Sequence, residues 1–191
     1  MDTPTPAKPP APGMCRGLAP TSVKEAEASI RLTISAGNGV AAQRDAEHLL
    51  STVVAGDRAL VLNALAHLHA ANGDVLALGC IAAEARGGAQ LHGDADSDAE
   101  AILHAGHALQ MIADHAATIK YFVDAEQLAT RIGVRDLEAR IWWCTGVSSS
   151  LSGWHAPGVD YLDRGVLAFR APGNTVDRLA ARSSLLNTYN R

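Results

Sequence analysis

The chain has 191 residues, of which 48% are hydrophobic and 4% aromatic, and it carries a net charge of −4. The whole of that charge falls in residues 57–191, and Lys120 is the sole lysine after Lys24, so there is no basic stripe. Nucleic-acid binding, which needs concentrated positive charge against phosphate, is disfavoured. An alanine-rich, aromatic-poor core suits closely packed helices better than a sandwich or barrel. The longest apolar stretches fall well short of the ~20 residues of a membrane span. The N-terminus also lacks the apolar segment of a secretory signal. A cytoplasmic protein with no membrane partner is the default expectation. Cys15, Cys80 and Cys144 are widely spaced and form no CxxC pair, so the reading is of free, buried thiols in a reducing compartment.

Residues 1–20 hold Pro4, Pro6, Pro9, Pro10 and Pro12. Proline removes donors and fixes the backbone away from helix, so this segment reads as a disordered arm. From Thr21 onward the pattern is amphipathic helix divided by glycine. The expected helices are 22–36, 39–55, 58–72, 74–88, 97–113, 115–132, 136–152, 155–170 and 175–190. Gly37-Asn38-Gly39, Gly56-Asp57, Asn72-Gly73-Asp74, Gly133 and Gly153 supply residues that tolerate turn or left-handed geometry at helix ends. Ser22 with Glu25, and Ser97 with Glu100, read as capping boxes. Pro157 falls in a first turn, where its missing N–H costs little. No segment alternates with a period of two residues, so no sheet is expected.

The organising feature is a repeat of 40 residues kept without gaps over three units. Stepping by 40 links Ala59, Ala99 and Ala139, then Ala66, Gly106 and Gly146. It also links Ala82, Phe122 and Leu162, then Ala85, Ala125 and Gly165. Small residues recur where paired helices approach closely, and larger apolar ones recur where a gap must be filled. A fourth copy begins at Asp177 and supplies one helix. The expected organisation is an arm over 1–20, a looser helical repeat over 21–56, and three repeats plus a terminal helix over 57–191.

These repeats resemble the tetratricopeptide family. In its first-helix pattern stand Leu62, Leu65, Ala66 and His69; Ile102, Ala105, Gly106 and Leu109; and Trp142, Thr145, Gly146 and Ser149. The second-helix pair appears as Phe122/Ala125 and Leu162/Gly165. The period of 40 exceeds the family's 34, and the aromatic that closes the first-helix pattern is missing in all three full units. The longer form is similar to arrays found in bacterial regulatory proteins. The resemblance implies an all-α superhelix, a solenoid of helical hairpins whose first helices line a concave groove. It places Asn63, His67, Glu100, His107, Gln110, Arg140, Trp143 and Asn187 on the groove wall, with Leu103, Val147 and Ser183 beside them. Asn and Gln can hydrogen-bond a peptide backbone in both directions, and Trp143 is the candidate apolar anchor. Trp142 and Trp143 lie about 100° apart on a helix, so Trp142 is assigned to packing and Trp143 to the groove.

No catalytic or cofactor-binding arrangement emerges. His104 and His107 share a helix face, and His67 is placed beside His107, but no third metal ligand is in register. They read as surface or groove histidines. Asp94, Asp96 and Asp98 alternate like a calcium loop, yet Ala99 and Ala105 stand where its glycine and closing glutamate are required. They read as acids favouring a helix N-terminus. Ser148-Ser149-Ser150 lacks a nucleophile elbow. The function expected is a protein- or peptide-binding scaffold without catalysis. Two alternatives stand beside it. One is the sensory part of a larger bacterial signalling enzyme such as a diguanylate cyclase, motivated by the stop after one helix of a fourth unit. The other is self-association through the open end of the array.

Overall fold

A computed structural model describes residues 22–169. The expected arm over 1–20, Cys15, the terminal helix over 175–190 and Asn187 lie outside the described residues. Among the described residues eight α-helices follow one another: α1 (Val23–Ser35), α2 (Gly39–Leu50), α3 (Arg58–Asn72), α4 (Val75–His92), α5 (Ala95–Met111), α6 (His115–Ile132), α7 (Arg135–Leu151) and α8 (His155–Ala168). No strand occurs among the described residues. None of these helices is long and apolar enough to cross a membrane.

The joints are built alike, and their chemistry explains the regular spacing. Gly73, Gly93, Ala113, Gly133 and Gly153 have positive φ and fall at every twentieth residue. At each joint the following residue donates its N–H back to a carbonyl five positions earlier: Asp74 to His69, Asp94 to Ala89, Asp114 to Leu109, Val134 to Ala129 and Trp154 to Ser149. This bond satisfies a carbonyl that the helix end leaves open, and a left-handed residue closes it most cheaply. Asp74, Asp94 and Asp114 then cap the next helix by accepting the N–H of Ala77, Ser97 and Ala117. Gly37 and Asn38 form the same joint between α1 and α2. Between α2 and α3 the chain instead makes a short 3-10 turn, Ala55–Asp57.

Three boundaries differ from the sequence reading. Helix α2 stops at Leu50 rather than 55. Helix α4 runs through Gly87-Gly88 to His92, because buried Ala82, Ala85 and Ala89 hold its inner face and the stop comes at Gly93. Helix α5 therefore begins at Ala95, and Asp94, not Ser97, is its cap; Ser97 lies buried in the first turn. Ser22 does cap α1, accepting the N–H of Glu25. Ala113 is the sole non-glycine joint residue with positive φ among the described residues (φ 61°). An L-residue there carries about 1 kcal/mol of strain. Ala113→Gly is accordingly expected to stabilise the protein by about 1 kcal/mol, read as a raised urea midpoint; an unchanged or lowered midpoint contradicts the strain argument.

The array is layered. First helices pack on their neighbours, α1 on α3, α3 on α5 and α5 on α7, whereas second helices make no comparable packing with one another. The layer whose members touch, α1, α3, α5 and α7, is the inner layer. Apolar burial is distributed in the same stepwise way. Ile30, Ala42, Ala46, Val61 and Leu68 join α1, α2 and α3. Leu62, Ala85 and Ala101 join α3, α4 and α5. Leu103, Phe122, Leu128 and Ile141 join α5, α6 and α7, and Ala139, Val166 and Phe169 join α7 and α8. Each hairpin thus buries its apolar side against the next, at roughly 1.5–3 kcal/mol per large side chain, as a nearest-neighbour stack requires.

Within hairpins the spacing of small residues sets the approach. A Cβ on Gly106 would lie 2.5 and 2.7 Å from the Phe122 ring, and one on Gly146 would lie 2.6 Å from Leu162 Cγ. At the equivalent place in the first full unit both partners are alanine, Ala66 and Ala82, and both are fully buried. A large partner is met by glycine and a small one by alanine.

Candidate functional site

Counting back from each joint aligns the first helices better than a fixed step does. Arg31, His67, His107 and Val147 all stand six residues before a positive-φ joint residue, and all four are half-buried. They form one row across the inner layer, grading from a cation through two imidazoles to an apolar side chain.

Around this row the polar groups pair with one another between neighbouring helices. Glu100 on α5 places one carboxylate oxygen 2.9 Å from Arg140 Nη1 on α7 and the other 2.9 Å from Arg31 Nη2 on α1. Arg31 also pairs with Glu27 one turn away. Further along α5, His107 Nε2 lies 2.9 Å from Cys144 Sγ, and the Gln110 amide donates to Ser148 Oγ at 2.9 Å. On the other side Asn63 Nδ2 donates to the Ser97 carbonyl at 3.0 Å. The inner layer is therefore cross-braced: α5 is tied to α1, α3 and α7 by side chains of complementary chemistry.

The electrostatics follow from burial in that network. Burial pushes the Glu100 carboxyl up, but Arg140, Arg31 and His104 outweigh it and hold the group well below the usual carboxylate range. Burial, reinforced by Arg140 and then Arg31, lowers His67 to about 4. Burial with Arg140 and His67 lowers His107 to about 4. His104 is fully buried, and burial carries it well below its ordinary value. Its Nε2 stands 3.9 Å from Glu100, and neither ring nitrogen has a hydrogen-bond partner. All three imidazoles are neutral at pH 7.

The network brings together His67, Glu100, His107, Gln110 and Arg140 from the sequence reading. Asn63 is different: it is fully buried with its amide on the Ser97 carbonyl, so it braces α3 against α5 and does not face a groove. Trp143 is half-buried and packs on the apolar cluster of its own hairpin and on the one shared with α5 and α6, so its ring is tied into the core. Trp142 faces the second helices, donating to Glu126 at 2.7 Å beneath the Arg164 guanidinium at 4.3 Å. His104 is a core residue, not a surface or groove histidine, and it stands between His67 at 6.4 Å and His107 at 6.1 Å between ring centroids. Cys144 is buried as expected, whereas Cys80 is exposed. Arg31 and Glu27 were missed because the first unit is spaced 36, not 40, residues from joint to joint; the signal that finds Arg31 is the count back from Gly37.

Among the described residues no group of three or more His, Cys, Asp or Glu side chains is placed to hold a metal ion. No family model and no curated protein matches the chain.

Proposed function

We propose that this chain is a binding scaffold of the tetratricopeptide type, which holds another protein or peptide against its inner layer and performs no chemistry of its own. The observation that supports this most is the half-buried row Arg31, His67, His107 and Val147, repeated at one position of four successive helices. A row that steps from helix to helix offers regularly spaced contacts to an extended chain, and stacked hairpins use their concave side in this way. The neutral His67 imidazole supplies a donor and an acceptor, and Val147 supplies an apolar contact. His67 and Val147 are the wall positions where no interhelical hydrogen bond is broken by substitution.

The test begins with capture of partners by the whole chain and identification of the bound proteins. Each purified candidate is then titrated calorimetrically against wild type and against the double variant His67→Glu, Val147→Glu. Binding on the inner layer predicts at least about a tenfold loss of affinity in the double variant, in the range of a contact residue at an interface centre. A variant at the exposed Leu76 on α4 (83% exposed) should bind as wild type does. Equal affinity for the double variant and wild type rejects the inner layer as the site.

A further inference from the structure

We propose that the imidazole cluster of the inner layer is a proton-operated latch, in which proton uptake by His67, His104 and His107 loosens α5 from α3 and α7 while the helices themselves stay formed. The three rings form a chain, with centroids 6.4 Å apart from His67 to His104 and 6.1 Å apart from His104 to His107. They sit where α3, α5 and α7 meet.

The charged and titratable groups that face them come from four elements. Helix α1 brings Glu27 and Arg31, α3 brings His67 itself, α5 brings Glu100, and α7 brings Arg140 beside the Cys144 thiol. Helix α6 presents the edge of Phe122 to His107. No charged side chain of α4 or α6 acts on the imidazoles. At neutral pH the two guanidinium groups are matched by the two carboxylates. Each proton taken up then adds a positive charge beside Arg31 and Arg140, and Glu100, the one carboxylate that attracts His67 and His104, already has both oxygens engaged by those guanidinium groups. His104 has the least to gain from the closed state, because both its nitrogens are buried without partners.

The direction of the effect follows from linkage. An imidazole freed to solvent titrates near 6.5, whereas His67 and His107 in the closed array titrate at about 4. Between those values the open form takes protons that the closed form refuses. Stability of the α3–α5 and α5–α7 contacts is fully present above about pH 6.5 and is lost as pH falls toward 4. At pH 5.0 each such imidazole favours the open form by about 30-fold.

The experiment follows the full chain at pH 7.5 and 5.0 and after return to 7.5, by amide hydrogen exchange together with far-ultraviolet circular dichroism. The expected result is a reversible fall in protection at the α3–α5 and α5–α7 contacts, by about 30-fold or more, with the helical signal retained. The double variant His67→Val, His107→Val places at both positions the residue that stands at the equivalent Val147, and it should keep much more of its protection at pH 5.0 than wild type, losing only the share that His104 contributes alone. The same pH dependence in that variant, no pH dependence in wild type, or parallel loss of the helical signal overturns the proposal. Should the variant fail to fold at pH 7.5, the proton count of the wild-type transition decides. Two or more protons taken up between pH 6.5 and 4 uphold the latch, and fewer than two overturn it.

Discussion

Replacing Glu100 by glutamine is expected to cost about 3 kcal/mol of stability at pH 7, the largest loss from any single charged residue in the inner layer. The carboxylate is 14% exposed and is shared by two guanidinium groups that are 25% and 26% exposed. Removing its charge leaves both cations desolvated and facing each other. An exposed pair provides the contrast: Arg58 and Glu84 meet at 3.0 Å with about half of each side chain in water, and Glu84→Gln should change stability by less than about 1 kcal/mol. Because the Glu100 carboxyl is held below its ordinary value of 4.5, its contribution is fully present above that pH. It disappears only as the solution becomes more acidic. The gap between wild type and variant in urea unfolding should therefore be constant from pH 7 to about 6.5, above the range in which the imidazoles take up protons. A loss under about 1 kcal/mol at pH 7 contradicts the cross-bracing role.

The second large effect concerns the close approach of α7 and α8. A Cβ on Gly146 would meet the Gly158 carbonyl oxygen at 2.9 Å and the Leu162 backbone nitrogen at 3.0 Å. Backbone cannot rotate aside, so Gly146→Ala must push α8 away and is expected to cost about 3 kcal/mol. That loss outweighs the roughly 1 kcal/mol that alanine gains over glycine in a helix. Gly106→Ala meets the buried Phe122 ring instead, and about 2 kcal/mol is expected. Adding Phe122→Ala, which by itself should cost about 3–5 kcal/mol, recreates the Ala66/Ala82 pairing of the first full unit. The double variant should then be more stable than the sum of the singles by at least about 1 kcal/mol. Additive losses would show that glycine and the large side chain are not size-matched.

Much of the architecture was legible in the sequence, for reasons the joints make plain. Glycine at 73, 133 and 153 marks positions of positive φ, and Asp74 after the first of them is a strong cap, so helix ends could be read from local chemistry. What local chemistry misjudged was Gly87-Gly88. Its effect on the helix is overridden by buried alanines on either side, a tertiary cause that no short window contains. Ala113 was invisible as a joint because alanine carries no turn signal. In the candidate site, the family resemblance placed Glu100, His107, Gln110 and Arg140 on one wall. It could not reveal that these groups satisfy each other. That depends on the offset between neighbouring helices: 40 residues for Glu100 and Arg140, but 37 for His107 and Cys144. Arg31 reaches Glu100 across 69 residues, a contact set by how α1 lies in the stack.

Each hairpin is stable because it lies against its neighbour, with no common core. Native-state hydrogen exchange on Gly146→Ala tests this most directly. A nearest-neighbour stack predicts that amides of α7 and α8 lose protection by about the full 3 kcal/mol of the substitution, while those of α3 and α4 lose less than about 1 kcal/mol. Equal loss of protection from α1 to α8 would mean one cooperative globule and would contradict the account.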